Sequence, residues 1–170
     1  MVKILVVDDN PTTREFVSTL LGYHGYHIIT ASNGAEALKK VAIDIPDIVI
    51  TDLLMPTMDG YEFVEELRKK PETKNIRVIF YTATYALNEA TLLAKSCGAL
   101  AVLSKPAEAA VILETIRQTL SKPEPLSSNT NANILVFENH SRQKTSEPYK
   151  TINESERLAS IIELPVWLFQ

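Results

Sequence analysis

From Met1 to Ser121 apolar and polar positions follow two alternating rhythms. Short, continuously apolar runs recur as "KILVV", "YHIIT", "DIVIT", "RVIFYT" and "ALAVLS". They are rich in Val and Ile and lack polar alternation, the pattern of parallel strands covered on both faces. Between them the apolar residues return at helical spacing. Phe16, Val17, Leu20 and Leu21 form one stripe, Ala35, Leu38 and Val41 a second, and Phe63, Val64 and Leu67 a third. Leu93, Ala94 and Cys97 follow, then Ile112, Leu113, Ile116 and Leu120. Punctuation agrees: Asn10-Pro11 suits a helix cap and first turn, Gly22 and Gly25 bracket a turn, and Gly98 closes the fourth helix.

Strands alternating with helices through short connections predict one doubly wound α/β domain over residues 1–121. A five-stranded parallel sheet with five helices fits a flavodoxin-like order, 2-1-3-4-5, whose ligand site lies at the carboxyl ends of strands 1 and 3. Residues 122–152, opening on "KPEPLSSNTNAN", read as a flexible linker. Over residues 153–170 the pattern predicts a short helix capped near Asn153, with Leu158, Ile161 and Ile162 on one face and a stop at Pro165. Val166, Trp167, Leu168 and Phe169 then form an apolar tail. Two readings stand for it: a disordered remnant, or a segment that docks on the domain or on a second copy of the chain.

Composition narrows the class. Of 170 residues 45% are hydrophobic and 22% charged, a globular balance. A net charge of −4 argues against a nucleic-acid surface, and the one basic cluster, Arg68-Lys69-Lys70, reads as a solvated helix end. The single cysteine, Cys97, excludes an internal disulfide and a cysteine-only metal cage, and sits in an apolar helical stretch as a packed core thiol. No signal peptide or membrane-length apolar run is present, so a cytoplasmic protein is expected. His24, His27 and His140 share no ligand spacing.

The chemistry gathers at strand ends. Asp8 and Asp9 close the first strand, Asp52 the third, Thr82 the fourth and Lys105-Pro106 the fifth. Adjacent carboxylates about 4 Å apart repel by roughly 4 kcal/mol at an effective dielectric near 20. They are tolerated if they face water, share a proton or bind a cation. Three carboxylates offer hard oxygens suited to Mg²⁺, and a carboxylate beside such an ion can attack a phosphoryl group. Lys105 and Thr82 supply charge and a hydrogen bond for phosphoryl oxygens. Singly each has a plainer reading, Asp9 as a helix cap, Lys105 as a surface lysine and Thr82 as a loop hydroxyl. Their common placement on one sheet edge favours the joint reading.

"VDDN", "DIVITDLLMPTMDG", "YTA" and "LSKP", in this order and each at a strand end, resemble a response-regulator receiver domain of two-component signalling. The resemblance spans roughly residues 2 to 121. It implies Asp52 as phosphoacceptor, with Asp8, Asp9, Asp52 and the backbone carbonyl of Leu54 holding Mg²⁺, Asp9 being a more direct ligand than Asp8. It implies Thr82 as the switch hydroxyl, Lys105 as the phosphate-pairing lysine, and a cis peptide bond before Pro106. Gly60 would supply backbone freedom to the "MPTMDG" turn. A histidine kinase or histidine phosphotransfer protein would stand upstream and a protein partner downstream. The chain would signal by docking rather than by turnover, as a stand-alone receiver or as an isolated receiver piece of a longer hybrid kinase or nucleotide cyclase.

Two rivals use similar parts. A haloacid-dehalogenase-type phosphohydrolase carries a second Asp two residues after its nucleophile, where this chain has Leu54. A flavodoxin-like flavin carrier wants a Ser-, Thr- and Gly-rich loop after strand 1, where this chain has Asp8 and Asp9. The chain departs from the receiver pattern at Val102, three residues before the lysine, where the family commonly carries an aromatic ring that swings; Tyr81 and Tyr85 are near but not at that position. By the same resemblance Leu54 and Thr84 govern the access of hydrolytic water, which implies a long-lived phosphoryl group.

Overall fold

In a computed structural model of the chain, residues 1–83, 87–121 and 135–137 are described. Thr84, Tyr85, His140, most of the expected linker and the whole 153–170 segment with Trp167 lie outside them. The chain divides into two units, Met1–His140 and Ser141–Gln170, and every described residue belongs to the first.

The elements run β1 (Lys3–Val7), α1 (Pro11–Tyr23), β2 (His27–Ala31), α2 (Gly34–Ile43), β3 (Ile48–Thr51), α3 (Gly60–Arg68), β4 (Arg77–Thr82), α4 (Leu87–Ser96), β5 (Ala101–Ser104), α5 (Ala109–Ser121) and β6 (Leu135–Phe137). All strand pairs are parallel, in the order β2-β1-β3-β4-β5-β6. The expected flavodoxin-like order is thus present, with a sixth strand added at the β5 edge. Ala101 registers with Leu135 and Val102 with Val136. The apolar run from Ile134 to Phe137 lies inside the stretch expected to be a flexible linker, after the strand–helix alternation has ended, so the linker expectation is corrected at residues 135–137.

Helix starts follow local chemistry. The Asn10 side chain accepts from the amides of Thr12 and Thr13, and Asp59 and Glu62 form a reciprocal capping box at α3. Gly25 and Gly98 take the left-handed backbone of their turns. Gly60 does not: Thr57 is the left-handed residue of the "MPTMDG" turn, at φ 74°. A Cβ on Gly60 would lie 1.9 Å from the Asp52 carbonyl oxygen. That glycine is required for space, not for backbone freedom.

The sheet's alternation splits the core into two layers. Leu5, Val7, Val49, Val78, Phe80 and Val102 pack towards α2, α3 and α4. Ile4, Val6, Ile48, Ile50, Ile79, Tyr81 and Leu103 pack towards α1 and α5, joined at the edge by Leu135. Each fully buried aliphatic or phenyl side chain contributes about 1.5–3 kcal/mol, so these layers outweigh the caps in holding the sheet. Three stripe residues differ from expectation: Phe16 and Leu93 are exposed, and in α2 Ala35 is only partly buried while Ala37 is fully buried. Cys97 is buried as expected, and burial pushes its thiol up to about 11.

α5 shares its face of the sheet with α1, opposite the face covered by α2, α3 and α4, and β6 lies at the β5 edge.

At the far end of the sheet Arg68 departs from its expected role. Its guanidinium turns inward and donates to the carbonyls of Cys97 (2.9 Å), Lys74 (2.9 Å), Ile76 (3.0 Å) and Gly98 (3.2 Å). Lys69 and Lys70 are exposed, so only two members of the triplet are solvated.

Candidate functional site

The carboxyl ends of β1, β3, β4 and β5 meet at one sheet edge. Asp8 and Asp52 are fixed by backbone bonds that continue the sheet: Asp8 N–H donates to the Ala31 carbonyl at 3.1 Å and Asp52 N–H to the Val7 carbonyl at 3.0 Å. Carboxylate oxygens of Asp8, Asp9 and Asp52 lie within 4.8 Å of one another. Lys105 Nζ donates to Asp8 Oδ2 at 2.6 Å and to Asp52 Oδ2 at 2.5 Å. Asp8 Oδ1 accepts from the Asn10 amide at 2.9 Å, and Asp52 Oδ1 from the Leu54 amide at 3.3 Å. Leu54 itself points its side chain into solvent. Thr82 is buried at the end of β4, and its carbonyl accepts the Lys105 N–H at 2.8 Å. The Lys105–Pro106 peptide bond is cis, as the resemblance implied.

The adjacent aspartates occupy unlike environments. Asp8 is only 2% exposed and is paired with an internal cation, whereas Asp9 is exposed to water. Asn10, not Asp9, caps α1. Burial raises the Asp8 pKa despite the opposing hydrogen bond from Lys105. Burial also disfavours the charge on Lys105, but its hydrogen bonds to Asp52 and Asp8 outweigh that and raise its pKa, so the ammonium stays protonated. The repulsion expected between neighbouring carboxylates is relieved by solvent on one side and by Lys105 on the other.

Strand alternation explains why three of these side chains converge. Asp8 follows Val6 by two residues, Asp52 follows Ile50 and Lys105 follows Leu103, and all three predecessors face the α1/α5 layer. Thr82 instead continues the face of Phe80, towards α2, α3 and α4. Three further residues at the site were not anticipated. Arg14 donates through Nη1 to the Asp8 carbonyl at 2.5 Å, and Thr51 Oγ1 donates to the Asp52 carbonyl at 2.9 Å. Tyr81 lies beneath Lys105, its ring centroid 5.4 Å from Nζ. The same alternation carries a signal for Tyr81, which registers with Leu103 two residues before the lysine. His24 and His27 are exposed and away from this cluster.

A donor set of three carboxylates within this span fits a hard, oxygen-preferring dication such as Mg²⁺. No helix among the described residues is long and apolar enough to cross a membrane.

Comparison with known proteins gives the same assignment. The family model described as response regulator receiver domain matches residues 4–117. Protein PilH of Pseudomonas aeruginosa is 33% identical over 121 residues, covering 71% of this chain and 99% of that protein. Sporulation initiation phosphotransferase F of Bacillus subtilis is 37% identical over 127 residues, covering 75% of this chain and 97% of that protein. The chain spans only about half, 52%, of the probable transcriptional regulator ycf27 of Porphyridium aerugineum, at 34% identity and 76% of this chain. Among solved structures, chemotaxis response regulator CheY4 of Vibrio cholerae aligns with a TM-score of 0.66 at 34% identity, over 70% of this chain and 98% of that one. Response regulator TrrA of Thermotoga maritima, solved in complex with Mg²⁺-BeF, aligns with a TM-score of 0.62 at 35% identity, over 70% and 99%. The chain belongs to the response regulator receiver family, and is a phosphoacceptor of two-component signalling. Receivers take their phosphoryl groups from histidine kinases or phosphotransfer proteins.

Proposed function

We propose that Asp52 is the phosphoacceptor, that Asp8, Asp9, Asp52 and the Leu54 backbone carbonyl hold Mg²⁺, and that Lys105 and Thr82 contact the oxygens of the transferred group. The observation that carries this is the bridging position of Lys105, 2.5 Å from Asp52 and 2.6 Å from Asp8. An ammonium so held sits where the oxygens of a phosphoryl group on Asp52 need a positive charge. One Asp52 oxygen attacks phosphorus; the new O–P bond forms as the P–N bond of a phosphohistidine donor breaks, and the departing imidazole keeps the nitrogen's electron pair. Lys105 then exchanges its contacts with Asp52 and Asp8 for a phosphoryl oxygen. The Thr82 hydroxyl, at the neighbouring strand end, is the second group able to turn towards it. When bound, Mg²⁺ supplies charge neutralisation of the phosphoryl oxygens and of the three carboxylates.

The donor is a histidine kinase or a histidine phosphotransfer protein. The product signals by docking to a downstream protein, a second copy of the chain being one candidate. Exposed Leu54 offers no general acid at the position where a phosphohydrolase carries one, which favours a retained phosphoryl group over turnover. Incubation with Mg²⁺ and acetyl phosphate is expected to add one hydroxylamine-labile phosphoryl group per chain, read by intact mass. Asp52→Asn should abolish the adduct completely. An adduct that persists in this variant overturns the assignment.

A further inference from the structure

Lys105 must leave two carboxylates for a phosphoryl oxygen without losing its place at the site. Its carboxylate partners change in that exchange; a neighbour that does not change would have to fix it. Tyr81 is such a neighbour. Its side chain is buried, with 5% of the residue exposed, in the layer between the sheet and α1/α5. Its ring lies 5.4 Å from the Lys105 ammonium, within the range of a cation–π contact. Its hydroxyl oxygen accepts the Ala107 N–H at 3.3 Å, two residues beyond the lysine. Backbone pairing completes the enclosure, since the Lys105 N–H donates to the carbonyl of Thr82, the next residue of β4. One side chain therefore touches both the lysine's head and the turn that carries its backbone.

Resting on the phosphoacceptor reading above, we propose that Tyr81 is a positioning residue for Lys105: its ring retains the ammonium while the carboxylates are exchanged for phosphoryl oxygens, and its hydroxyl anchors the turn behind it. Tyr81 touches neither the phosphoryl group nor the metal. Its loss should weaken binding of a phosphoryl group and leave binding of the metal alone unchanged.

The probe is beryllofluoride, a stable phosphoryl mimic, titrated into the full chain with saturating Mg²⁺, alongside Mg²⁺ alone. Tyr81→Leu removes ring and hydroxyl, and should weaken beryllofluoride binding about 2- to 30-fold, the range of a partly desolvated cation–π contact. Tyr81→Phe keeps the ring and should lose less. Mg²⁺ affinity without beryllofluoride should stay within about twofold in both. In a Lys105→Met background, Tyr81→Leu should add no further loss, because nothing remains to be positioned. A further loss there, a parallel fall in Mg²⁺ affinity, or unchanged beryllofluoride binding in Tyr81→Leu would overturn the proposal. Failure of the wild-type chain to bind beryllofluoride would instead strike the phosphoacceptor reading itself. Thermal denaturation of each variant checks that it is folded; if Tyr81→Leu is not, Tyr81→Phe and Tyr81→Met carry the same comparison.

Discussion

Lys105 and Arg68 are both cations drawn largely out of water, at opposite ends of the same sheet, and they are satisfied by different partners. Lys105 meets two carboxylates at the strand carboxyl ends. Arg68 meets four neutral backbone carbonyls, from the α3–β4 connection and the end of α4. Burial pulls the Arg68 pKa down, whereas hydrogen bonds to carboxylates carry the Lys105 pKa up against its burial. A carboxylate has alternatives: a proton, a dication or a phosphoryl group can take the lysine's place. A carbonyl fixed in the backbone has none, and a guanidinium remains charged throughout. On the proposed reading, one buried cation belongs to a site that exchanges partners, the other to a clasp that does not.

The largest effect should come from breaking the clasp. Arg68→Met leaves four carbonyls without this donor and should cost about 3 kcal/mol or more in denaturant unfolding, with no recovery on adding Mg²⁺. Lys105→Met should cost about 2 kcal/mol without metal. That is less than the 3–5 kcal/mol of a fully buried pair, because Lys105 and Asp52 keep some contact with water. Millimolar Mg²⁺ should restore most of this second loss, since a dication replaces the missing charge and binds only the folded chain. Equal rescue of both variants, or of neither, would erase the distinction.

Arg68→Lys sharpens it. An ammonium is a point donor and cannot span the carbonyls of two segments as a guanidinium fork does. It should recover less than half of the Arg68→Met loss in the same unfolding measurement. Full recovery would mean that charge, not the fork, is what the clasp needs.

The smallest effect belongs to a cation in water. Lys40 pairs with Glu36 at 2.7 Å, both side chains 37% exposed. Hydrogen bonds from Lys40 and Ser32 bring the Glu36 pKa down to about 2. A carboxyl held low in the folded state stabilises it above the unfolded pKa near 4.5, and this contribution is lost as pH falls towards 2. Wild type should therefore lose more stability than Glu36→Gln between pH 6 and pH 3. The difference should be under about 1 kcal/mol, as for other solvent-screened pairs.

What was legible in the sequence follows the same physical division. β1 and β4 match their apolar runs end to end, because uninterrupted Val and Ile segments have few other solutions in a chain of this length. Asp8, Asp52 and Lys105 were found because strand ends are local, and alternation then brings their side chains to one face. Arg68 was misjudged for the opposite reason. Its partners at Cys97 and Gly98 lie about thirty residues away, and nothing in the run Arg68-Lys69-Lys70 separates a clasping arginine from two solvated lysines. Gly60 was singled out correctly but for the wrong cause, since close approach to Asp52 depends on tertiary geometry. Val102 is fully buried in register with Val136, and no ring at that position is available to move.

The edge position of β6, which pairs with β5 on one side, bears on how the sheet opens. Five strands and five helices can close on one another before residues 135–137 arrive, and of these Leu135 packs against the core while Val136 stays exposed. An edge strand of three residues is held by few ladder bonds, and Val136 adds little burial to them. The amides of β6 should therefore exchange with solvent well ahead of those in the central strands β1 and β3.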